Sequence, residues 1–185
     1  TSLQSHERFL AKLYETIAAP DATFEEKVRR LLELGREYLG LDIGFLSQID
    51  GDAFEIVDAV GSHEQIQPGA TAPVSQTYCR RVLEGDGPLG VADAAAEGWE
   101  ADPAYERYGL ESFLGVTVSV DADQYGTLCF ADTSARDHPF SEGQQTFVEL
   151  MAEWLGYELD RVERERYLRR AYDVTSDTDR SFDEK

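Results

Sequence analysis

Hydrophobic positions along the first forty residues fall into two helical stripes separated by a proline. Leu3, Leu10, Leu13 and Ile17 are spaced by seven, three and four, the short heptad-like stripe of an amphipathic helix. Pro20-Asp21 ends it. Thr23 followed by Glu26 is a capping box, in which hydroxyl and carboxylate each satisfy an orphan backbone amide. Val28, Leu31, Leu32, Leu34, Tyr38 and Leu39 then form a broad apolar face that Gly40 stops.

From there the period changes. Leu41 to Ile49 and Ala53 to Val60 read as strands joined at Asp50-Gly51-Asp52, a hairpin cue. Gly61 to Ala72 reads as a loop. Ser75 is placed to cap a helix through Tyr78, Cys79, Val82 and Leu83, and Leu89 to Ala92 is a short strand closing in Asp93. Asp102-Pro103 is a capping residue followed by a favoured first helical residue, and opens a short helix to Tyr108. Ser112 to Val120 and Tyr125 to Ala131 flank Asp121 to Gln124 as a second hairpin. Ser141 with Gln144 forms another capping box, launching a long helix through Phe147, Val148, Leu150, Met151, Trp154, Leu155, Leu159 and Val162. Hairpins bracket a helical insert without regular alternation of strand and helix. That order predicts an α+β domain with an antiparallel sheet of about five to six strands. Terminal helices would cover one face, and a helix-loop roof between Gly61 and Leu110 the other.

The chain also repeats itself. Shifted by 158 residues, Glu7, Arg8, Leu10, Tyr14, Asp21, Phe24, Glu26 and Lys27 recur at Glu165, Arg166, Leu168, Tyr172, Asp179, Phe182, Glu184 and Lys185. A period of this length is a whole domain rather than a solenoid unit. It suggests one module of a tandem array, with a linker helix at 1–22, a domain at 23–163, and a linker helix entering the next module at 164–185. The repeat keeps the capping box as Ser181 and Glu184, so the second helix is expected to restart there.

At 185 residues and 42% hydrophobic, the chain is long enough to bury one domain core. A net charge of −20 repels phosphate backbones and anionic lipid, which excludes nucleic acid and membrane surfaces as direct partners. The acidic excess is spread along the chain and 11% of residues are aromatic, both contrary to disorder. Such self-repulsion is tolerable where salt is molar and the Debye length is about 3 Å, so a halophilic source is expected. No apolar run approaches the roughly 18 residues of a membrane span. The start, TSLQSHERF, lacks the basic and apolar regions of a leader. A cytoplasmic location is expected. Cys79 and Cys129 lie far apart and form no CxxC, so neither a disulfide framework nor a metal site is indicated.

Four stretches stand out in order: LGLDIGFLSQIDGDAFEIVDAVG, VSQTYCRRV, VADAAAEGW with DPAYERYGLESFLGVTVSV, and YGTLCFADTSAR followed by FSEGQQTFVELMAEWLGYELDR. They resemble a GAF domain, in the form common in haloarchaeal sensor kinases and bacterio-opsin-activator-like regulators. Together they cover roughly residues 24 to 163. The resemblance implies a non-catalytic sensory module whose sheet and roof enclose a small-molecule pocket, linked in the parent chain to a kinase or transcriptional output domain. Family ligands range from cyclic nucleotides and tetrapyrroles to haem, small metabolites or nothing, so no cofactor is assigned. A homodimer through the terminal helices is the expected assembly, with Leu3 to Ile17 beside Leu155 to Leu168. The alternative is a degenerate GAF serving as a dimerisation and spacer element.

Candidate pocket residues are Phe45, Tyr78, Cys79, Asp93, Tyr105, Tyr108 and Phe113, with Trp99 beside them. Aromatics in a roof over a sheet make flat apolar walls, although core packing explains each singly. Asp93 and Asp102 sit where such pockets open, and both also suit turn or capping roles. Of Arg80 and Arg81, adjacent on a helix, one at most is expected to face inward. Cys79 with Cys129 reads as two small buried hydrophobes, as a redox pair or, following the resemblance, as a thiol attached to a bilin. One GAF family reduces free methionine sulfoxide with a cysteine relay, which here would require the two sulfurs to approach closely. No P-loop, HExxH, GxSxG or Gly-rich dinucleotide turn is present.

Overall fold

The structure is a computed structural model and describes residues 2–183. Helices α1 (Ser2–Ala18) and α2 (Phe24–Leu39) lead into strands β1 (Ile43–Asp50), β2 (Ala53–Val60) and β3 (Thr71–Pro73). After a 3-10 turn at Val74–Gln76 come α3 (Cys79–Glu84), β4 (Leu89–Val91), α4 (Pro103–Tyr108), β5 (Ser112–Val120), β6 (Asp123–Asp132) and α5 (Glu142–Asp183). The six strands form one sheet in the order β3-β2-β1-β6-β5-β4, antiparallel at every pairing. This is the α+β architecture the sequence pattern predicts.

Local chemistry accounts for most boundaries. The Glu26 amide donates to Thr23 Oγ1 at 3.2 Å, and Gly40 ends α2 at φ 70°. Ser141 and Gln144 exchange both capping-box bonds. The β1–β2 turn has Gly51 at its first central position with φ 60°, which its missing Cβ permits. The second hairpin is tighter than expected: Asp121 and Ala122 alone form the turn, both at positive φ, and β6 starts at Asp123. A bulge at Val118/Ser119 absorbs the difference.

Side-chain alternation splits the core in two. One face of the sheet, with Leu46, Leu114, Val116, Leu128 and Phe130, packs on Leu31, Leu32, Phe147, Met151 and Leu155 of the helices. The opposite face, with Ile43, Phe45, Phe113, Cys129 and Ala131, packs under the roof. The Phe130 ring reaches so close to α2 that a Cβ on Gly35 would lie 2.2 Å from it. On the far side of that layer, a Cβ on Gly156 would lie 2.1 Å from the Ser119 carbonyl, so α5 rides directly on the β5 backbone.

Three expectations need correction. First, β3 forms at the end of the segment Gly61 to Ala72 read as a loop, pairing with Ala53 to Glu55 of β2. Second, α1 does not lie beside Leu155 to Leu168. The Phe9 ring meets Tyr38 at 4.9 Å and Tyr38 meets Phe147 at 4.5 Å, both tilted, and His6 adjoins Gly143, so α1 rests on α2 and the first half of α5. Tyr157, Tyr167 and Leu168 remain exposed. Third, α5 continues to Asp183 without the restart expected at Ser181. The repeat aligns Thr178 with Pro20, and threonine keeps the amide that proline lacks. Glu184, the other half of that box, lies outside the described residues.

Candidate functional site

The roof-facing side of the sheet is set by strand parity. Ile43, Phe45 and Ser47 alternate inward on β1, as Thr127, Cys129 and Ala131 do on β6. Above them lie Tyr78 and Cys79 at the start of α3, Ile66 from the β2–β3 loop, and Tyr108 and Leu110 after α4. Between these layers is a cavity of about 20 Å³, bounded by Phe45, Phe54, Thr77, Tyr78, Cys79 and Phe113, with Ile56, Ile66, Tyr108 and Leu110 completing it. Larger hollows lie away from this gap: a groove between α2, β2 and α5 near Arg29 and Tyr125, a cleft where Gly85 to Pro88 meets β5 and α5, and a surface hollow along α5 between Asp160 and Arg170.

The sheet–roof gap is filled by rings. Tyr78 meets Trp99 edge-on at 5.1 Å and Phe113 at 5.3 Å, while Phe45 meets Phe54 at 6.2 Å. The Tyr78 hydroxyl donates to the Leu110 carbonyl at 3.3 Å. Burial, with the negative charges of Asp102 and Glu111 nearby, pushes its pKa well above the ordinary phenol value.

A charged latch holds the roof together. The Asp102 side chain, 1% exposed, accepts from Arg80 Nη2 at 3.0 Å and Arg81 Nε at 2.8 Å. Its other oxygen caps α4 at the Ala104 amide. Adjacent arginines therefore converge on one carboxylate, contrary to the expectation that at most one turns inward. Their long stems bend to a common target from the first turn of α3. The Arg81 guanidinium also lies 4.4 Å from the Trp99 ring centre. His63 Nε2 is 2.8 Å from the Tyr108 carbonyl, tying the β2–β3 loop to the end of α4.

Of the seven expected pocket residues, Phe45, Tyr78, Cys79, Tyr108 and Phe113 border the cavity. Asp93 and Tyr105 do not. Asp93 Oδ1 accepts from the Ala96 amide and organises a turn, and the Tyr105 hydroxyl donates to Glu111. Ser75 lies in the 3-10 turn, and α3 starts at Cys79 after Tyr78 with no side-chain cap. Sequence reasoning missed the hydroxyl cluster of Ser47, Thr77 and Thr127 around the cysteines. Cys79 Sγ lies 3.9 Å from Cys129 Sγ and accepts from Thr127 Oγ1 at 3.1 Å. Among the described residues no three His, Cys, Asp or Glu are placed to hold a metal, and no helix is long and apolar enough to cross a membrane.

An antiparallel six-stranded sheet between a helical layer and a clamped roof is the architecture of a GAF domain. The GAF domain family model matches residues 23–159, and the chain belongs to that family. No curated protein matches it significantly. Among solved structures it is similar to the GAF domain of an Acinetobacter phosphoenolpyruvate-protein phosphotransferase, at 14% identity and TM-score 0.67, covering 90% of this chain and 97% of that one. It is also similar to the free methionine-R-sulfoxide reductase of Neisseria meningitidis bound to its substrate, at 15% identity and TM-score 0.66 over 85% and 91% of the two chains. The phycocyanobilin-bound GAF domain of a cyanobacterial phytochrome matches at 13% identity and TM-score 0.63, over 89% and 97%. At these identities the shared property is the fold.

Proposed function

We propose that this chain is a non-catalytic sensory GAF module that receives a signal beneath its roof and relays it through α5 to linked output domains. The observation that carries this is the course of α5. Phe147, Val148, Met151 and Leu155 are buried against the sheet, and the same unbroken helix then runs outward with its side chains from Glu163 to Val174 exposed. A displacement of the sheet therefore moves a rod that extends beyond the domain. Exposed Tyr157, Tyr167, Leu168 and Tyr172 favour homodimerisation along that rod. A tandem arrangement in a cytoplasmic, halophilic signalling protein with a kinase or transcriptional output belongs to the same proposal.

The cavity size favours a second reading. At about 20 Å³ it holds roughly one water molecule, far below the roughly 300–1,000 Å³ of a metabolite pocket. A metabolite would enter only with the roof displaced; otherwise the domain acts as a dimerising spacer. The same size weighs against a methionine sulfoxide reductase, even though the sulfur separation meets that reading's geometric demand. Mass spectrometry of a denatured extract, from protein purified in molar KCl, separates the two. A stoichiometric small molecule is the expected result for a sensor, and an empty extract favours the spacer.

A further inference from the structure

Proton positions around the cysteines follow from counting, because each hydroxyl carries one proton. The Thr127 amide donates to Ser47 Oγ at 3.2 Å. Thr127 Oγ1 donates to Cys79 Sγ at 3.1 Å, which spends its proton. The 2.6 Å bond between Ser47 Oγ and Thr127 Oγ1 is therefore donated by Ser47. This chain runs one way, from amide to Ser47 to Thr127, and ends on the Cys79 sulfur. Cys129 Sγ lies 3.9 Å from that same sulfur, and both thiols are fully enclosed. A cysteine serving only as a small hydrophobe needs no such chain. The small cavity also opens onto Cys79, and among its lining residues Tyr108 alone is partly exposed.

We propose that Cys79 and Cys129 form a peroxide-reactive dithiol, with Cys79 the attacking sulfur, Cys129 the resolving sulfur and hydrogen peroxide the oxidant. The proposal rests on the sensory reading above and names its input. Burial pushes the Cys79 thiol up, but hydrogen bonding with Cys129, Thr127, Thr77 and Ser47 together outweighs it and leaves Cys79 below the ordinary thiol value. Cys129 is held well above the ordinary value by burial and by its bond to Cys79. The pair is thus divided into a nucleophile and a proton-bearing partner.

In the first step the Cys79 sulfur attacks one peroxide oxygen. An S–O bond forms, the O–O bond breaks, and the departing hydroxide leaves as water with the Cys79 proton. The Cys129 sulfur then attacks Cys79 Sγ. The S–S bond forms, the S–OH bond breaks, and the hydroxyl leaves as a second water with the Cys129 proton. Two thiols and one peroxide give one disulfide and two waters, with two electrons passing from sulfur to oxygen. The cavity selects for a peroxide of minimal size. Closing the sulfurs from 3.9 Å to about 2.05 Å draws the start of α3 toward β6. Arg80 and Arg81 follow directly on that helix, so the movement loads the latch on Asp102.

The test is intact-mass spectrometry with thiol counting on the whole chain, before and after hydrogen peroxide. Both thiols should disappear together, with the mass of two hydrogens, and return with a dithiol reductant. Cys129→Ser should stop at a sulfenic acid that a dione reagent captures, whereas Cys79→Ser should keep its remaining thiol. Thr127→Val should oxidise about tenfold more slowly, having lost one hydrogen bond to the reacting sulfur. Two thiols surviving an exposure that oxidises a free cysteine peptide would overturn the proposal, as would equal oxidation of Cys79→Ser and Cys129→Ser. A bound metabolite recovered from a chain whose thiols survive overturns the peroxide input but not the sensory reading. Paired oxidation without any change in α5 supports the dithiol and overturns the relay.

Discussion

Single side chains in the roof carry charge states that tune the stability of the fold. Tyr105 donates to Glu111, and that bond, with burial second, pushes its pKa up from 10.0 to about 12. The folded state therefore holds this proton more tightly than the unfolded chain does. Its contribution is complete below pH 10 and is lost as pH rises through about 12. The urea midpoint should fall over that window, and Tyr105→Phe should flatten the fall; an unchanged slope in the variant would refute the assignment. The residues at this scale were unevenly legible. Aromatic residues of the roof announce themselves by size, and five of the seven expected positions do border the cavity. Ser47 and Thr127 looked like ordinary strand residues, yet both sit at inward-facing parity with Phe45 and Cys129. A small hydroxyl at an inward position was the available signal. Asp102 was legible as a cap, while its second role required knowing that α3 lies across from α4.

Elements were legible where local chemistry decides them and obscure where tertiary packing does. Capping boxes, the proline break and the Gly51 turn each contain their own cause. The strand β3 has three residues and ends in Pro73, so it pairs only because β2 offers an edge. The position of α1 depends on tilted ring contacts among Phe9, Tyr38 and Phe147, drawn from three helices, which no local period contains. The seat of α5 on β5 is similarly non-local, since Gly156 matters through the Ser119 carbonyl. Gly156→Ala should force helix and sheet apart and cost about 1–3 kcal/mol, measured by urea unfolding. A wild-type midpoint would mean the two elements are not held at that distance.

Across the whole molecule, a net charge of −20 opposes compaction. Raising KCl from about 0.1 M to about 1 M shortens the Debye length from about 10 to about 3 Å. The melting temperature should climb by about 2–4 °C for each kcal/mol of repulsion relieved, and a flat response would remove the halophilic expectation. The relay itself joins roof, sheet and α5 into one mechanical unit. Its most direct test is hydrogen exchange on wild type and Asp102→Ala, both in molar KCl and well below their melting points. Removing that carboxylate strands Arg80 and Arg81 and uncaps α4, at about 2–4 kcal/mol given their partial exposure. The account predicts faster exchange in α3 and α4 and also in α5 from Phe147 to Leu159, where it seats on the sheet. Faster exchange confined to the roof, with α5 unchanged, would contradict the relay.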